Sequence, residues 1–181
     1  MCKSLSLLLL LVALSADSLA EEQVQRLHVG TQIGEADALT KGLSVLPDGS
    51  GLPSGRGSAQ QGLKIYAEQC AACHGDRGEG RADFPALVGG RGSLSTDKPV
   101  LTVGSYWPTA TTLFDYIWRA MPYGSPGTLS ADETYALTAW ILAANDIVKE
   151  TSVIDRRSLP RIKMPNADGF IVDEKVIRGS E

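Results

Sequence analysis

Cys70-Ala71-Ala72-Cys73-His74 is the segment from which the architecture of this chain is best inferred. The spacing C-x-x-C-H is typical of covalent attachment of a c-type haem. Two thiols one helical turn apart can each add to a vinyl group of the same porphyrin and form a thioether. The histidine that follows would lie under the iron and supply an imidazole nitrogen as proximal ligand. The motif therefore predicts a haem held by Cys70 and Cys73, with His74 bound to its iron.

Two other kinds of site use closely spaced cysteines, and the sequence favours neither. A thioredoxin-like redox pair requires a βαβ context, whereas a helical pattern precedes Cys70. A structural zinc site takes four ligands, typically from two separated pairs. The sequence has no second closely spaced cysteine pair, and its only other histidine is His28. Haem attachment is therefore the favoured interpretation.

The N-terminus has the pattern of a secretory signal peptide. Lys3 precedes an apolar run over residues 5–14 that is too short to span a bilayer comfortably. Ser18-Leu19-Ala20 then supplies the small residues that a signal peptidase reads. We expect cleavage after Ala20, a periplasmic protein and no stable membrane insertion afterwards. An uncleaved membrane anchor is the alternative, which the cleavage pattern and the acidic residues after it disfavour.

Composition excludes one broad class of partner. The formal net charge is −4 over 181 residues, and the basic residues form no stripe interleaved with aromatics. Both features argue against nucleic-acid binding. The length that remains after signal cleavage suits a single domain.

Turn-forming residues divide the rest of the chain. After a signal peptide at 1–20, residues 21–57 are expected to form an N-terminal extended arm, because glycine and proline are dense near its end. A disordered linker is the alternative, although the apolar residues of this stretch favour an arm on the domain surface. Residues 58–146 are expected to form the haem domain, and residues 147–181 a C-terminal tail that wraps around it as extended chain.

Apolar periodicity predicts the helices of the domain. Their expected limits are Ser58 to about Cys73, Thr112 to about Arg119, and Ala131 to Asn145. Capping spacing supports each start, with the pairs Ser58 and Gln61, Thr112 and Asp115, and Ser130 and Glu133. Gly62 weakens the first helix, which suggests that it permits the close approach of another helix.

The sixth ligand of the iron determines the class of function. A haem with one protein ligand binds gases or peroxide, whereas a haem with two transfers electrons. Met121 is the favoured second ligand, because Pro122 after it disfavours helical geometry and leaves it in a loop between two helices. Met164 and His28 are alternative ligands, and an open sixth position would indicate a haem enzyme or a sensor.

The residues around the haem motif resemble those of class I cytochromes c. Gly62-x-x-x-Tyr66 before the motif and Leu129-Ser130-x-x-Glu133-x-x-x-Leu137-x-Ala139-Trp140 after it match the two packed helices of that family. The resemblance implies an all-α fold of three to five helices around one covalently bound haem, with irregular N- and C-terminal extensions. It also implies a structural contact among Gly62, Tyr66 and Trp140.

The family uses a proline carbonyl to accept the second N–H of the proximal histidine. Pro85 is the matching position here, and such a bond would fix the orientation of His74. Arg91, Tyr106 and Trp107 are expected to line the haem or its propionates, with loop packing and solvent contact as the alternative.

Longer segments carry a narrower resemblance, to the cytochrome c partner of bacterial sulfite dehydrogenases and to the haem subunit of sulfane dehydrogenase. They are residues 47–53, 87–94, 102–117 and 159–170. The resemblance implies that this chain accepts single electrons from a molybdenum-containing sulfite dehydrogenase subunit and passes them to a downstream periplasmic cytochrome or oxidase. It implies no catalytic residue in this chain. A freely diffusing cytochrome with no dedicated dehydrogenase is the alternative.

Overall fold

The computed structural model describes residues 44–170. The expected signal peptide, His28 and most of the expected N-terminal arm lie outside this range. The elements, in chain order, are β1 (Arg56–Ser58), α1 (Ala59–Gln69), α2 (Ala71–His74), η1 (Ser93–Ser95), α3 (Ala110–Ala120), α4 (Ala131–Ala144), β2 (Val153–Asp155) and η2 (Leu159–Arg161). Within residues 44–170 no helix is both long and apolar enough to cross a membrane.

The core forms where α4 packs against α1 on one side and against α3 on another. Helix α4 is buried on nearly every face from Thr134 to Ala143, as expected of a helix that is apolar all round. Phe114 of α3 and Tyr135 of α4 are fully buried, and their ring centroids lie 4.5 Å apart. The resemblance implies an all-α fold, and the structure confirms a mostly helical architecture to which one short two-stranded sheet, β1–β2, is added.

The helices α1 and α4 cross at Gly62, as the sequence predicts. A Cβ atom at Gly62 would collide with the carbonyl oxygen of Ala136 and approach the Trp140 side chain within 2.8 Å. Next to this crossing the rings of Tyr66 and Trp140 lie 3.8 Å apart between centroids. The predicted contact among Gly62, Tyr66 and Trp140 is therefore confirmed.

The first predicted helix is interrupted at Cys70. Its start is as predicted, because Ser58 and Gln61 form a capping box. At Cys70 the backbone leaves helical geometry, with φ at −123°, and α2 begins at the next residue. The interruption separates the two cysteines, so that Cys70 joins the helices and Cys73 lies within the second.

The predicted start of the second helix is wrong. Helix α3 begins at Ala110, and its cap is Thr109, whose side chain accepts a hydrogen bond from the Thr112 N–H at 3.3 Å. Asp115 does not reach back to a cap. It accepts from the Val45 N–H at 3.0 Å and from Arg119 at 2.7 Å. The capping spacing of Thr112 and Asp115 was misleading because a tertiary contact engages the carboxylate.

The third predicted helix has the expected cap. Ser130 and Glu133 form a capping box at the start of α4, and these bonds lower the pKa of Glu133 from its ordinary value. The helix ends at Ala144, and Asn145 is its C-terminal cap.

Two short segments, one before α1 and one after α4, pair with each other as a small sheet. β1 and β2 pair antiparallel, with Gly57 opposite Ile154. The residues after 146 include β2 and η2, and Ile154, Leu159 and Met164 are buried in the same core as the helices. On the N-terminal side, the Tyr135 hydroxyl donates a hydrogen bond to the Pro53 carbonyl at 2.9 Å.

Candidate haem site

A largely apolar cavity lies between the helices, and the haem motif borders it. Cys70, Cys73 and His74 line it from the α1–α2 junction. Met121 lines it from the end of α3. The remaining lining is mainly aliphatic and aromatic, and includes Leu87, Leu101, Val103, Trp107, Leu113, Ile117, Leu129, Leu137 and Ile141. The fold therefore brings the motif and the favoured second ligand to one cavity from separate parts of the sequence.

The hydrogen bond of His74 determines which ring nitrogen is free. Its Nδ1 lies 3.0 Å from the carbonyl oxygen of Pro85. Since a carbonyl only accepts hydrogen bonds, Nδ1 carries the hydrogen, and in the neutral imidazole Nε2 then keeps its lone pair. This is the tautomer that binds a metal through Nε2 while an outer partner orients the ring.

The loop that carries Pro85 is tied back to the haem motif. Gly80 donates to the His74 carbonyl at 2.7 Å, and the Leu87 N–H donates to the Gly78 carbonyl at 2.8 Å. Gly78 has φ at +81°, and a Cβ there would approach Val88 within 2.6 Å. A glycine is therefore required at this turn. Together these bonds hold the Pro85 carbonyl close to His74.

A hydrogen bond from Tyr66 holds the C-terminal end of the motif, next to His74. Its buried hydroxyl donates to the Gly75 carbonyl at 2.7 Å. Burial is the main reason that the pKa of Tyr66 lies well above its ordinary value, and the nearby Cys70 and Glu79 raise it further. The phenol therefore stays neutral and keeps this hydrogen bond throughout the physiological range.

Both cysteines of the motif are free of disulfides. The pKa of the Cys70 thiol is raised to about 11, mainly by burial and to a lesser extent by the nearby Cys73. The free thiol is thus uncharged near pH 7. An uncharged sulfur facing an apolar cavity suits a thioether, which carries no charge either.

The two candidate methionines, Met121 and Met164, lie in different surroundings. Met121 is partly buried and lines the cavity. Met164 is only 1% exposed, belongs to the core and is not among the cavity-lining residues. His28, the remaining candidate, lies outside the described residues. Of the two methionines, only Met121 has its side chain at the cavity.

Of the three residues predicted to surround the haem, one lines the cavity and two do not. Trp107 lines the cavity, with its ring 5.7 Å from that of Tyr116 in an edge-on contact. Tyr106 does not line it, and instead packs on Phe170. Arg91 also lies outside the lining, where its guanidinium donates to the Asn145 carbonyl at 2.9 Å.

The chemistry of the cavity fits a haem. Among the lining residues in the described part of the chain there is no Asp, Glu, Lys or Arg, and His74 supplies the one imidazole. Apolar walls suit a porphyrin face. A low-dielectric surrounding also disfavours extra charge on the iron, which raises its reduction potential.

Asn145 supports the site and was not predicted to do so. The helical pattern marks this residue only as the end of a helix, whereas its side chain bonds to the loop beside Pro85 at Gly89 and Leu87. An asparagine directly after an apolar helix was the available signal, because its amide can bond to backbone groups of another segment.

Comparison with known proteins places the chain among cytochromes. A family model described as "Cytochrome C oxidase, cbb3-type, subunit III" matches residues 57–141. A thiosulfate dehydrogenase from Stutzerimonas stutzeri is 33% identical over 94 residues, which is 49% of this chain and 28% of that protein. A thiosulfate dehydrogenase from Psychrobacter arcticus is 29% identical over 106 residues, or 53% of this chain and 30% of the relative. The matches thus span less than a third of each relative's length.

A solved structure matches over more of the chain. A chain in the crystal structure of the sulfane dehydrogenase SoxCD from Paracoccus pantotrophus is 40% identical, with a TM-score of 0.76. The match covers 86% of this chain and 79% of that one. Membership of such a family implies covalently bound haem c and electron transfer. With the motif, the helical fold and these relatives taken together, the chain belongs to the class I cytochrome c family, in a branch related to proteins of sulfur oxidation.

Proposed function

We propose that this chain is a periplasmic cytochrome with a single haem c that accepts electrons from a molybdenum-containing sulfite dehydrogenase. In this proposal Cys70 and Cys73 would hold the haem covalently, and His74 and Met121 would bind its iron. The bound haem would supply one-electron redox chemistry, so that the protein would pass single electrons from the dehydrogenase to a downstream cytochrome or oxidase. Because sulfite gives up two electrons as it gains an oxygen atom from water to become sulfate, two such transfers would follow each turnover of the partner.

One observation carries the electron-transfer part of the proposal. His74 and Met121 line the same apolar cavity, and the Pro85 bond leaves Nε2 of His74 free for the iron. Two protein ligands would leave no open position for a gas or peroxide. A neutral thioether also favours the reduced iron and so raises the potential, which suits an acceptor of electrons from a dehydrogenase.

The choice of partner is supported by the relatives. The structural match at 40% identity is to a sulfane dehydrogenase, and it extends into the segments after α4. The single C-x-x-C-H motif favours one haem, and segments such as 102–117 resemble the sulfite dehydrogenase partner.

The ligand assignment is tested by the absorption spectrum of the oxidised protein. We expect a low-spin spectrum with the weak far-red band of methionine ligation, and mass spectrometry should give the chain plus one haem. A high-spin spectrum with tight carbon monoxide binding would contradict it and favour a haem enzyme or a sensor.

The partner is tested by stopped-flow reduction with a purified sulfite dehydrogenase and sulfite, at low and at moderate salt. We expect fast reduction that requires sulfite, and salt dependence would report electrostatic steering. The same mixture without sulfite is the control. Slow reduction at both salt concentrations would favour a diffusible cytochrome with another donor.

The curated relatives favour a second candidate function. Both are thiosulfate dehydrogenases, so this domain could serve thiosulfate oxidation instead. Mixing the oxidised protein with thiosulfate alone separates the two proposals. Reduction of the haem by thiosulfate without a partner would favour the second, and no reduction would favour the first.

A further inference from the structure

Asn145 connects the end of α4 to the loop beside the haem motif. Its side chain is almost completely buried, with 6% of the residue exposed. The Oδ1 atom accepts from the Gly89 N–H at 3.0 Å, and the Nδ2 atom donates to the Leu87 carbonyl at 3.1 Å. Nδ2 also donates to the Ile141 carbonyl at 2.9 Å, within the last turn of α4. One amide thus binds two backbone groups of the loop and one of the helix.

The loop segment that Asn145 holds is continuous with the Pro85 carbonyl. Only Ala86 separates Pro85 from Leu87, so a displacement of Leu87 is transmitted through two peptide planes to the carbonyl that accepts from His74. Leu87 makes two further backbone bonds, from its N–H to the Gly78 carbonyl at 2.8 Å and to its carbonyl from the Val103 N–H at 3.3 Å, and both partners precede α3. The amide of Asn145 instead anchors the segment to a buried helix of the core.

The surroundings of Asn145 leave its amide little freedom. A Cβ at Gly104 would collide with its Oδ1 atom, so backbone packs directly against the amide. An amide this deeply buried is costly unless its donors and acceptor are all paired. The orientation that satisfies Oδ1 and both Nδ2 hydrogens is the one observed, and it fixes the loop at the same time.

We propose that Asn145 is a positioning residue for the proximal ligand, because it holds the Pro85 carbonyl where that carbonyl accepts the hydrogen bond from His74. This inference rests on the proposed function, in which His74 binds the haem iron. A strong bond from Nδ1–H to a carbonyl makes the imidazole a better electron donor. Better donation stabilises the oxidised iron and lowers the reduction potential. Asn145 therefore sets the potential from outside the cavity, since it is not among the cavity-lining residues.

The test compares Asn145→Leu with a matched control in the same helix. Leucine keeps the approximate volume and removes all three side-chain hydrogen bonds, while the Arg91 bond to the backbone carbonyl remains. Thr138→Val is the control, because Thr138 is fully buried and its hydroxyl donates only to the Thr134 carbonyl within α4. Both variants lose buried hydrogen bonds, but only the first loosens the loop.

The measurements are the reduction potential of the haem-loaded protein and the exchange rate of the His74 Nδ1 hydrogen by NMR. We expect Asn145→Leu to raise the potential and to accelerate this exchange about tenfold, the effect of losing roughly one net hydrogen bond. Thr138→Val should change neither. An Asn145→Leu protein with the potential and exchange rate of the control would overturn the proposal.

A second variant covers the case in which Asn145→Leu yields no haem-loaded protein. In Asn145→Ser the hydroxyl can still donate to the carbonyl four residues earlier, as Thr138 does, but it is too short to hold the loop. It should show the same direction of change, and an unchanged potential would overturn the proposal. A failure of His74 ligation would instead appear in the wild-type spectrum, so the two failures are distinguishable.

Discussion

The Nδ1 atom of His74 lies 3.0 Å from the carbonyl oxygen of Pro85. This bond joins the haem motif to the segment that follows the turn at Gly78–Gly80. It fixes the imidazole in one tautomer and turns Nε2 away from the loop. The residue expected to bind iron is therefore oriented by the protein itself, through a backbone carbonyl that side-chain substitution does not remove.

Removing the thioether of Met121 should change the coordination and the reduction potential of the haem iron without unfolding the protein. We expect Met121→Ala to lose the far-red absorption band and to bind carbon monoxide. Its potential should fall by a fraction of the roughly 0.8 V range that axial ligands span. Absorption spectroscopy and a redox titration measure both effects.

Met164→Leu is the control for this experiment. It alters a buried methionine that does not line the cavity, so it should keep the spectrum and cost less than about 1.5 kcal/mol of stability. Loss of the far-red band in Met164→Leu, with the band retained in Met121→Ala, would exchange the roles of the two methionines.

Each cysteine of the motif should carry one covalent bond to the haem. We expect Cys70→Ala and Cys73→Ala to yield protein with haem held by one thioether or lost. The reason is that each sulfur of the motif is expected to form the bond to one of the two vinyl groups. Mass spectrometry of the denatured chain, together with the pyridine haemochrome spectrum, measures this. A single variant that keeps both the mass and the spectrum of the wild type would contradict the attachment.

The helix crossing should tolerate no side chain at Gly62. We expect Gly62→Ala to lower the free energy of unfolding by roughly 1–3 kcal/mol, because the added methyl meets backbone of Ala136 that cannot rotate away. Gly124→Ala is the control, since a Cβ there meets nothing within 4 Å. The control should change stability by less than about 0.5 kcal/mol. Denaturant unfolding compares the two, and equal effects would disprove the close approach.

Stability should fall in alkaline solution, in part through Tyr135. Burial, followed by the nearby Asp155, raises its pKa to about 12 from an unfolded value of 10. A folded pKa above the unfolded one means that the folded state holds the proton more tightly. The contribution is therefore complete below pH 10 and is lost as the pH rises towards 12.

Tyr135→Phe isolates this contribution. At pH 7 we expect a loss of about 1 kcal/mol, for the hydrogen bond to the Pro53 carbonyl. Between pH 10 and 12 the variant should lose less stability than the wild type, as followed by circular dichroism during unfolding. Parallel pH profiles would mean that Tyr135 does not titrate in this range.

Local signals in the sequence were reliable where a neighbour in the chain supplies the partner. Ser58 and Ser130 cap their helices through Gln61 and Glu133, three residues later, as the spacing predicts. Thr112 failed as a cap because a tertiary contact engages Asp115, and among the nearby hydroxyl residues Thr109 is the one used. Local spacing alone does not choose among them.

The covalent chemistry expected of this protein follows from its sequence alone. The C-x-x-C-H motif places two thiols and an imidazole within two helical turns, and that proximity exists before the chain folds. The close contact at Gly62 could also be predicted, because a glycine within an apolar helical face gives up helix stability and leaves room for a second backbone.

Which distant groups meet depends on the tertiary structure. Met121 and Met164 are each followed by proline and look alike in sequence, yet one lines the cavity and the other lies in the core. Asn145 reaches Gly89 across 56 residues of chain, and no local pattern encodes that distance. Such contacts depend on how helices and loops pack together, so they follow from the complete fold rather than from any segment of it.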